Sequence, residues 1–443
     1  MSVPAVDPAM NPGLHPGLYP GLKPLSTRPK PPSWLTWWLG VIAAIVLSLP
    51  ASGQDWPQWR GANRDGHVAG FVAPAAWPKV LARKWSVEVG IGHASPLIVG
   101  NHAFVFTRQG ENEVTRCVDL ASGRDVWKDS YPAPYQMNPA AQGHGKGPKA
   151  TPAFSDGRLY TFGISGILSC LDASTGKVLW RHEYAKQYKT TSPTFGASAS
   201  PLVENGVVFE HVGGVGEGAV TAYDAKTGVV KWQWKGDGPA YSSPIIVTVG
   251  GVRHLITQTN KLIVGLDAAS GKLLWSMPFT TPYEQNIITP FTVNDLVVFA
   301  GLQNPMVAVR LKKSGGAWTA LKVWESRDVN QYMNTPVASG RRIYGMSSKM
   351  RGQLFTVDAA TGKLLWSDPG RFGDNATVYD AGGVVLALNT TGELHVYTQE
   401  GDALKQVAQY QVAESPTWAS PAIQDRRILV KDLNNLTLWE IPK

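Results

Sequence analysis

Cysteine is nearly missing from this chain of 443 residues, which has only Cys117 and Cys170. A scaffold stapled by disulfides is therefore excluded as the source of its stability. The nine histidines show no HxH or HxxxH spacing, so a zinc centre has no support and no metal site is expected. Runs of basic residues are also lacking. The formal charge of +8 falls to +6 once the excess of two positive charges in residues 1–53 is set aside, and a balance that small argues against a nucleic-acid footprint. Long helical periodicity is absent as well. What is abundant is Gly (46), Pro (32) and Trp (17), a composition suited to many short strands joined by tight turns.

One phrase recurs five times: Asp119…Gly123…Trp127, Asp172…Gly176…Trp180, Asp224…Gly228…Trp232, Asp267…Gly271…Trp275 and Asp358…Gly362…Trp366, with three residues in each gap. An alternating apolar run precedes each copy and another follows it, which reads as strand, turn, strand. The chemistry is that of a turn. Asp accepts backbone N–H groups across it, Gly takes the φ > 0 position and Trp closes the outgoing strand with a large apolar surface.

A second landmark lies ahead of each phrase, a Ser-Pro or Thr-Pro that opens an apolar strand: Ser95, Thr151, Ser200, Ser243, Thr289, Thr335 and Ser420, with Thr377 followed by Val378 as a degenerate copy. Pro cannot donate to a ladder, so it marks a strand's first residue, and the hydroxyl before it can satisfy a neighbouring backbone group. Four strands in each unit of about 40–50 residues make a propeller blade. The landmarks give eight. The expected architecture is an all-β, eight-bladed propeller of four-stranded antiparallel blades over residues 54–443. The fifth unit has lost the phrase and the seventh keeps only Gly401. The eighth stops after Trp439, so its outer strand has to come from the segment around Trp85, which removes the open edge.

Residues 1–33 are rich in Pro and Gly and cannot make a core. A mostly apolar run of sixteen residues, Trp34 to Leu49, follows Lys and Arg and leads to Pro50 and small residues. That order predicts a leader plus a cleavable signal peptide ending near Gly53, hence a periplasmic or secreted protein with no integral span after cleavage, because the run is shorter than the span of about 20 residues that a membrane needs. If the cysteine position is the third strand out from an axis, it sits roughly 17 Å from it, and the equivalent points one blade apart are roughly 13 Å from each other. That exceeds disulfide reach, so both cysteines read as small buried residues.

The pattern Asp-Ala-x-Thr/Ser-Gly-Lys-x-Leu-Trp, as in Asp172 to Trp180, Asp267 to Trp275 and Asp358 to Trp366, resembles the repeat of pyrroloquinoline-quinone-type β-propellers. The resemblance covers roughly residues 80–443, and the segment Asp55 to Gly61 looks like the opening of secreted bacterial members. It implies one of two classes, a BamB-like scaffold of outer-membrane assembly or a quinoprotein alcohol dehydrogenase, and the motif itself marks only the fold. The dehydrogenases imply a quinone, Ca²⁺ held by carboxylate and amide oxygens, a catalytic Asp and an adjacent-cysteine disulfide. This chain has no Cys-Cys pair, and near the expected mouth the clear acids are only Asp374 and Glu284. The scaffold class is the closer match, with no cofactor expected; pyrroloquinoline quinone and calcium enter only under the dehydrogenase alternative.

In a propeller, partners meet the loops just before each innermost strand. Two residues before each landmark stand His93, Lys149, Ser198, Tyr241, Ile287, Met333, Asn375 and Trp418. Of these, His93, Lys149, Tyr241, Met333, Asn375 and Trp418 are the expected partner-binding residues. The set is too apolar for a solvated rim and too poor in carboxylates for a calcium–quinone site, and it suits a protein or peptide docking on a monomer. The competing reading is that these side chains simply fill the channel. The residues one position later, Ala94, Ala150, Ala199, Ser242, Ile288, Asn334, Ala376 and Ala419, are mostly small and read as packing.

Overall fold

The signature turns form as their residues require. Asp172 Oδ1 accepts the backbone N–H and hydroxyl of both Ser174 and Thr175 at 2.6–3.0 Å, and Gly176 follows at φ +74°. Gly123, Gly228, Gly271 and Gly362 adopt the same left-handed conformation at φ +72° to +73°. A computed structural model describes residues 54–443. The expected leader and signal peptide lie outside the described residues. Among the described residues the strands assemble into eight four-stranded antiparallel sheets. Seven are built from consecutive segments, at residues 97–132, 153–182, 202–234, 245–278, 291–326, 337–367 and 376–411. In the eighth, strands within 422–440 are completed by Ala82–Glu88, which pairs with Asn435–Glu440 and sets Trp85 opposite Leu438. The propeller therefore closes as the sequence predicts.

The landmark prolines stand immediately before the innermost strands rather than as their first residues: Pro96 precedes Leu97–Val99 and Pro201 precedes Leu202–Glu204. The hydroxyls beside them reach across to the next blade. Ser95 N–H donates to Thr151 Oγ1 (3.2 Å), Thr151 N–H to Ser200 Oγ (2.9 Å), Ser200 N–H to Ser243 Oγ (2.9 Å), Thr289 N–H to Thr335 Oγ1 (3.1 Å) and Ser420 N–H to Ser95 Oγ (2.9 Å). This belt satisfies the buried N–H of the Ser or Thr before the proline, which lies ahead of the first ladder bond.

The core is divided into packets between neighbouring blades. Tyr344, Met346 and Leu354 of the sixth blade, for example, pack on Val378, Val385 and Tyr397 of the seventh. Burying one such large side chain is worth about 1.5–3 kcal/mol, so each interface is held by several. Cys117 and Cys170 are free and buried, and burial pushes each thiol up to about 12.

The signature also holds blade to blade, which its spacing does not reveal. Trp127 Nε1 donates to the Ala173 carbonyl of the next blade at 2.9 Å, Trp180 to Ala225 at 3.1 Å, Trp232 to Ala268 at 3.2 Å and Trp324 to Ala359 at 3.0 Å. Where the fifth blade lacks the phrase, Trp275 of the fourth turns to His254 Nδ1 of its own blade at 3.2 Å.

Candidate functional site at the channel mouth

The opening segment of the described chain closes one end of the channel. Trp56 exchanges backbone hydrogen bonds with Ile98, Phe154 N–H donates to the Pro57 carbonyl, and Val68 N–H donates to Asp380. Between these points Arg64 donates to the carbonyls of Pro244 (3.1 Å), Pro201 (2.9 Å) and Ser200 (3.0 Å), and Arg60 to those of Thr335 (2.8 Å) and Pro336 (2.6 Å). Trp59 Nε1 donates to Thr289 Oγ1 (3.1 Å) and Gln424 donates to Asp55 Oδ1 (3.0 Å). Residues 55–68 thus bond to every one of the eight blades. Burial lowers Arg60 to about 10 and Arg64 to about 9, so both stay charged at neutral pH, with backbone carbonyls as their main acceptors.

Above this plug lies a cavity of about 430 Å³, within the usual size range of ligand pockets. All eight side chains two positions before the landmarks line it: His93, Lys149, Ser198, Tyr241, Ile287, Met333, Asn375 and Trp418. Each blade contributes one from the segment that leads into its innermost strand. Tyr241 and Asn375 are buried and the other six half-buried. These residues leave a cavity; it is the 55–68 segment that fills the channel. The small residues one position later are all buried, as packing requires.

The walls are aromatic. Trp418 meets His144 edge-on at 4.6 Å between ring centroids and His93 at 6.2 Å, while Phe195 and Tyr241 lie 6.1 Å apart. His93 Nε2 donates to the His144 carbonyl at 2.8 Å. Its pKa is lowered to about 3, first by burial and then by the neighbouring His144, Lys149 and Lys431, so the ring is neutral. Burial, with some help from Lys149, also lowers His144. Lys149 Nζ donates to the Phe195 carbonyl at 2.8 Å, and burial brings it down to about 8. Phe195 N–H in turn donates to Tyr241 Oη at 3.2 Å.

Sequence reasoning missed Trp59, His144, Phe195, Gln285 and Tyr332, which also line the cavity. They sit in loops of unequal length at no fixed offset from a landmark. The available signals were the aromatics around Trp59 and the Gly-rich loop from Gln142 to Lys149, which carries His144 and whose resemblance to an anion-binding loop is outweighed by its lack of a strand-to-helix context.

No carboxylate lines the cavity; Asp374 and Glu284, the acids expected near the ring, are not part of its wall. Ca²⁺ takes six to eight oxygen ligands with carboxylates among them, and here only hydroxyls and the amides of Gln285 and Asn375 are on offer beside a cationic lysine. Among the described residues no three His, Cys, Asp or Glu side chains gather where a metal could sit. The residues present do not fit a calcium–quinone pair.

The family model described as "Outer membrane protein assembly factor BamB" matches residues 110–368, more than half of the chain. The chain belongs to the BamB family. It is 22% identical over 369 residues to BamB of Yersinia pestis, covering 78% of this chain and 85% of that one. It is 27% identical to BamB of Nitrosomonas eutropha, of which it spans about half, 54%. A quinohemoprotein alcohol dehydrogenase of Comamonas testosteroni is 28% identical over 197 residues, which is 43% of this chain and only 26% of the enzyme. Two solved structures share the fold. The Comamonas testosteroni enzyme gives a TM-score of 0.65 at 15% identity, over 91% of this chain and 82% of that one. BamB of Moraxella catarrhalis gives 0.56 at 15%, over 82% of this chain and 98% of that one. Identities this low speak to the fold alone.

Proposed function

We propose that this BamB-family propeller is a periplasmic or secreted scaffold that works as a monomer and receives a protein or peptide partner at the mouth of its channel. Membership of the BamB family supports a role in outer-membrane assembly, and the order of residues 34–53 supports export. The single observation that carries the binding site is the convergence of one side chain from each blade on an aromatic cavity with no carboxylate in its wall. Trp418, Tyr241 and Met333 supply desolvated contact area, while Asn375, His93 and Lys149 set orientation. The dehydrogenase reading would need a calcium–quinone pair that this wall does not fit.

The experiment is capture of partners from cell-envelope extract by Trp418→Ala and Tyr241→Ala variants, with melting temperatures measured in parallel. The reading expects capture to fall in both, with melting hardly moved in Trp418→Ala and lowered in Tyr241→Ala, whose ring is buried. Variants that melt several degrees lower and capture partner as before would mean that the two rings are structural.

A further inference from the structure

Two lysines sit in this region with the same lowered pKa of about 8, and they differ in what they touch. Lys431 is fully buried, and its ammonium faces the carbonyls of Gly90, Gly92, Asp432 and Leu433 at 2.9–3.2 Å, more acceptors than its three N–H donors can use. It is saturated and holds loops. Lys149 donates to one carbonyl, that of Phe195, has no carboxylate partner among the described residues, and lines the cavity. Two of its donors have no acceptor among the described residues, in a wall where burial makes a bare cation costly.

The shape of the site narrows what could compensate that charge. Trp59 lies in the cavity lining and Arg60 and Arg64 fill the channel behind it, so a chain cannot thread through the propeller. A partner segment therefore has to enter and leave by the one mouth, which suits a chain end. The cavity that Lys149 lines also presents the aromatic and apolar side chains of Phe195, Tyr241, Trp418 and Ile287. We infer that the mouth binds the C-terminus of a partner polypeptide, with the terminal carboxylate on Lys149 and an apolar last side chain against the Trp418 and Tyr241 walls. This deepens the scaffold reading and rests on it. A carboxylate on a lysine forms a charge-assisted hydrogen bond, roughly twice as strong as a neutral one, and here it would form away from bulk water.

The test titrates the full-length protein with the peptide acetyl-Gly-Gly-Leu-Phe, once with a free C-terminal carboxylate and once as the C-terminal amide, followed by calorimetry. The free acid is expected to bind about tenfold or more tightly than the amide. In Lys149→Met that preference should vanish, and in Lys149→Arg it should largely persist. The acid–amide comparison is made on unmodified protein, so it does not depend on how a variant folds. Equal affinity for acid and amide, or a preference that survives in Lys149→Met, overturns the inference. So does tighter binding of pyrroloquinoline quinone with Ca²⁺ than of the free acid. The scaffold reading stands or falls separately: if neither peptide binds while Trp418→Ala still abolishes partner capture, the carboxylate assignment alone is wrong, whereas unchanged capture in Trp418→Ala and Tyr241→Ala removes both.

Discussion

The indole of Trp85 lies flat against Gly123. A Cβ built on that glycine would meet Trp85 Cδ2 at 2.8 Å, and Trp85 Nε1 donates to the carbonyl of Leu120 at 2.9 Å. Trp85 belongs to the strand that completes the eighth blade and Gly123 to the signature turn of the first, so this contact fastens the last blade to the first. The same clasp joins Trp127 to Gly176, Trp180 to Gly228, Trp232 to Gly271 and Trp324 to Gly362. The glycine is needed twice, for its left-handed backbone and for the bare surface it offers the ring of the preceding blade.

Those two needs can be separated. Gly176→Ala combines φ +74° with a Cβ 2.5 Å from the Trp127 ring, while Gly157→Ala has φ +73° and nothing within 4 Å of its Cβ. The first should cost about 2–4 kcal/mol and the second about 1–2 kcal/mol in denaturant unfolding. Equal costs would mean that the ring contact contributes nothing.

Removing the closing strand tests the ring as a whole. Replacing Ala82–Glu88 by a Gly-Ser linker of the same length keeps the 55–68 plug and leaves Asn435–Glu440 as an open edge beside the first blade. This variant is expected to unfold over a broader transition than the parent chain and to self-associate through the exposed edge, read by calorimetry and light scattering. A sharp transition at the parental temperature from a monodisperse sample would show that closure is dispensable.

Arg64 anchors the plug through buried carbonyls of the third and fourth blades and the amide of Gln58. Arg64→Met strands those acceptors and should destabilise by about 3 kcal/mol or more, against less than about 0.5 kcal/mol for Arg341→Met, whose side chain is 88% exposed. Urea midpoints of the two variants give the comparison directly.

The plug also carries a titratable fastening. His67 Nδ1 and Asp380 Oδ2 lie 3.0 Å apart, and the bond to Asp380 raises the histidine above its usual value despite partial burial. On Asp380 burial is the largest influence and works upward, but the bonds from His67 and Ser339 together outweigh it and hold the carboxyl low. Since the folded histidine titrates above the unfolded one, its stabilisation is complete below about pH 6.5 and is lost as pH rises through the raised value. Wild type should therefore lose its advantage over His67→Gln as pH rises above about 6.5; an advantage that does not shrink with rising pH would refute the linkage.

The blade count, the turn geometry and the closing strand were legible because each is written locally and repeats. Asp172 reads as a turn residue because the groups that donate to its carboxylate lie within three positions, and the eight mouth residues could be placed because a Pro precedes the innermost strand in every blade but the seventh, where Thr377 holds the landmark. What was not legible lies across blades or outside the period. The partner of Trp127 is Ala173 and the partners of Arg64 are Pro201 and Pro244, separations that no local pattern encodes. His144 and Phe195 reach the cavity on loops whose lengths differ from blade to blade, so they share no offset with the landmarks. Lys149 was placed correctly, but its lack of a counter-ion became visible only once the carboxylates had positions.

The central claim is that a polypeptide occupies the channel mouth. A photo-crosslinking amino acid placed at Ile287, inside the cavity, and in a second variant at Val230, an exposed position on an outer strand, tests it in intact cells. The account predicts a discrete protein adduct from Ile287 that disappears when Trp418→Ala is added, and none of that size from Val230. Adducts from Val230 alone, or an Ile287 adduct unaffected by Trp418→Ala, would contradict it.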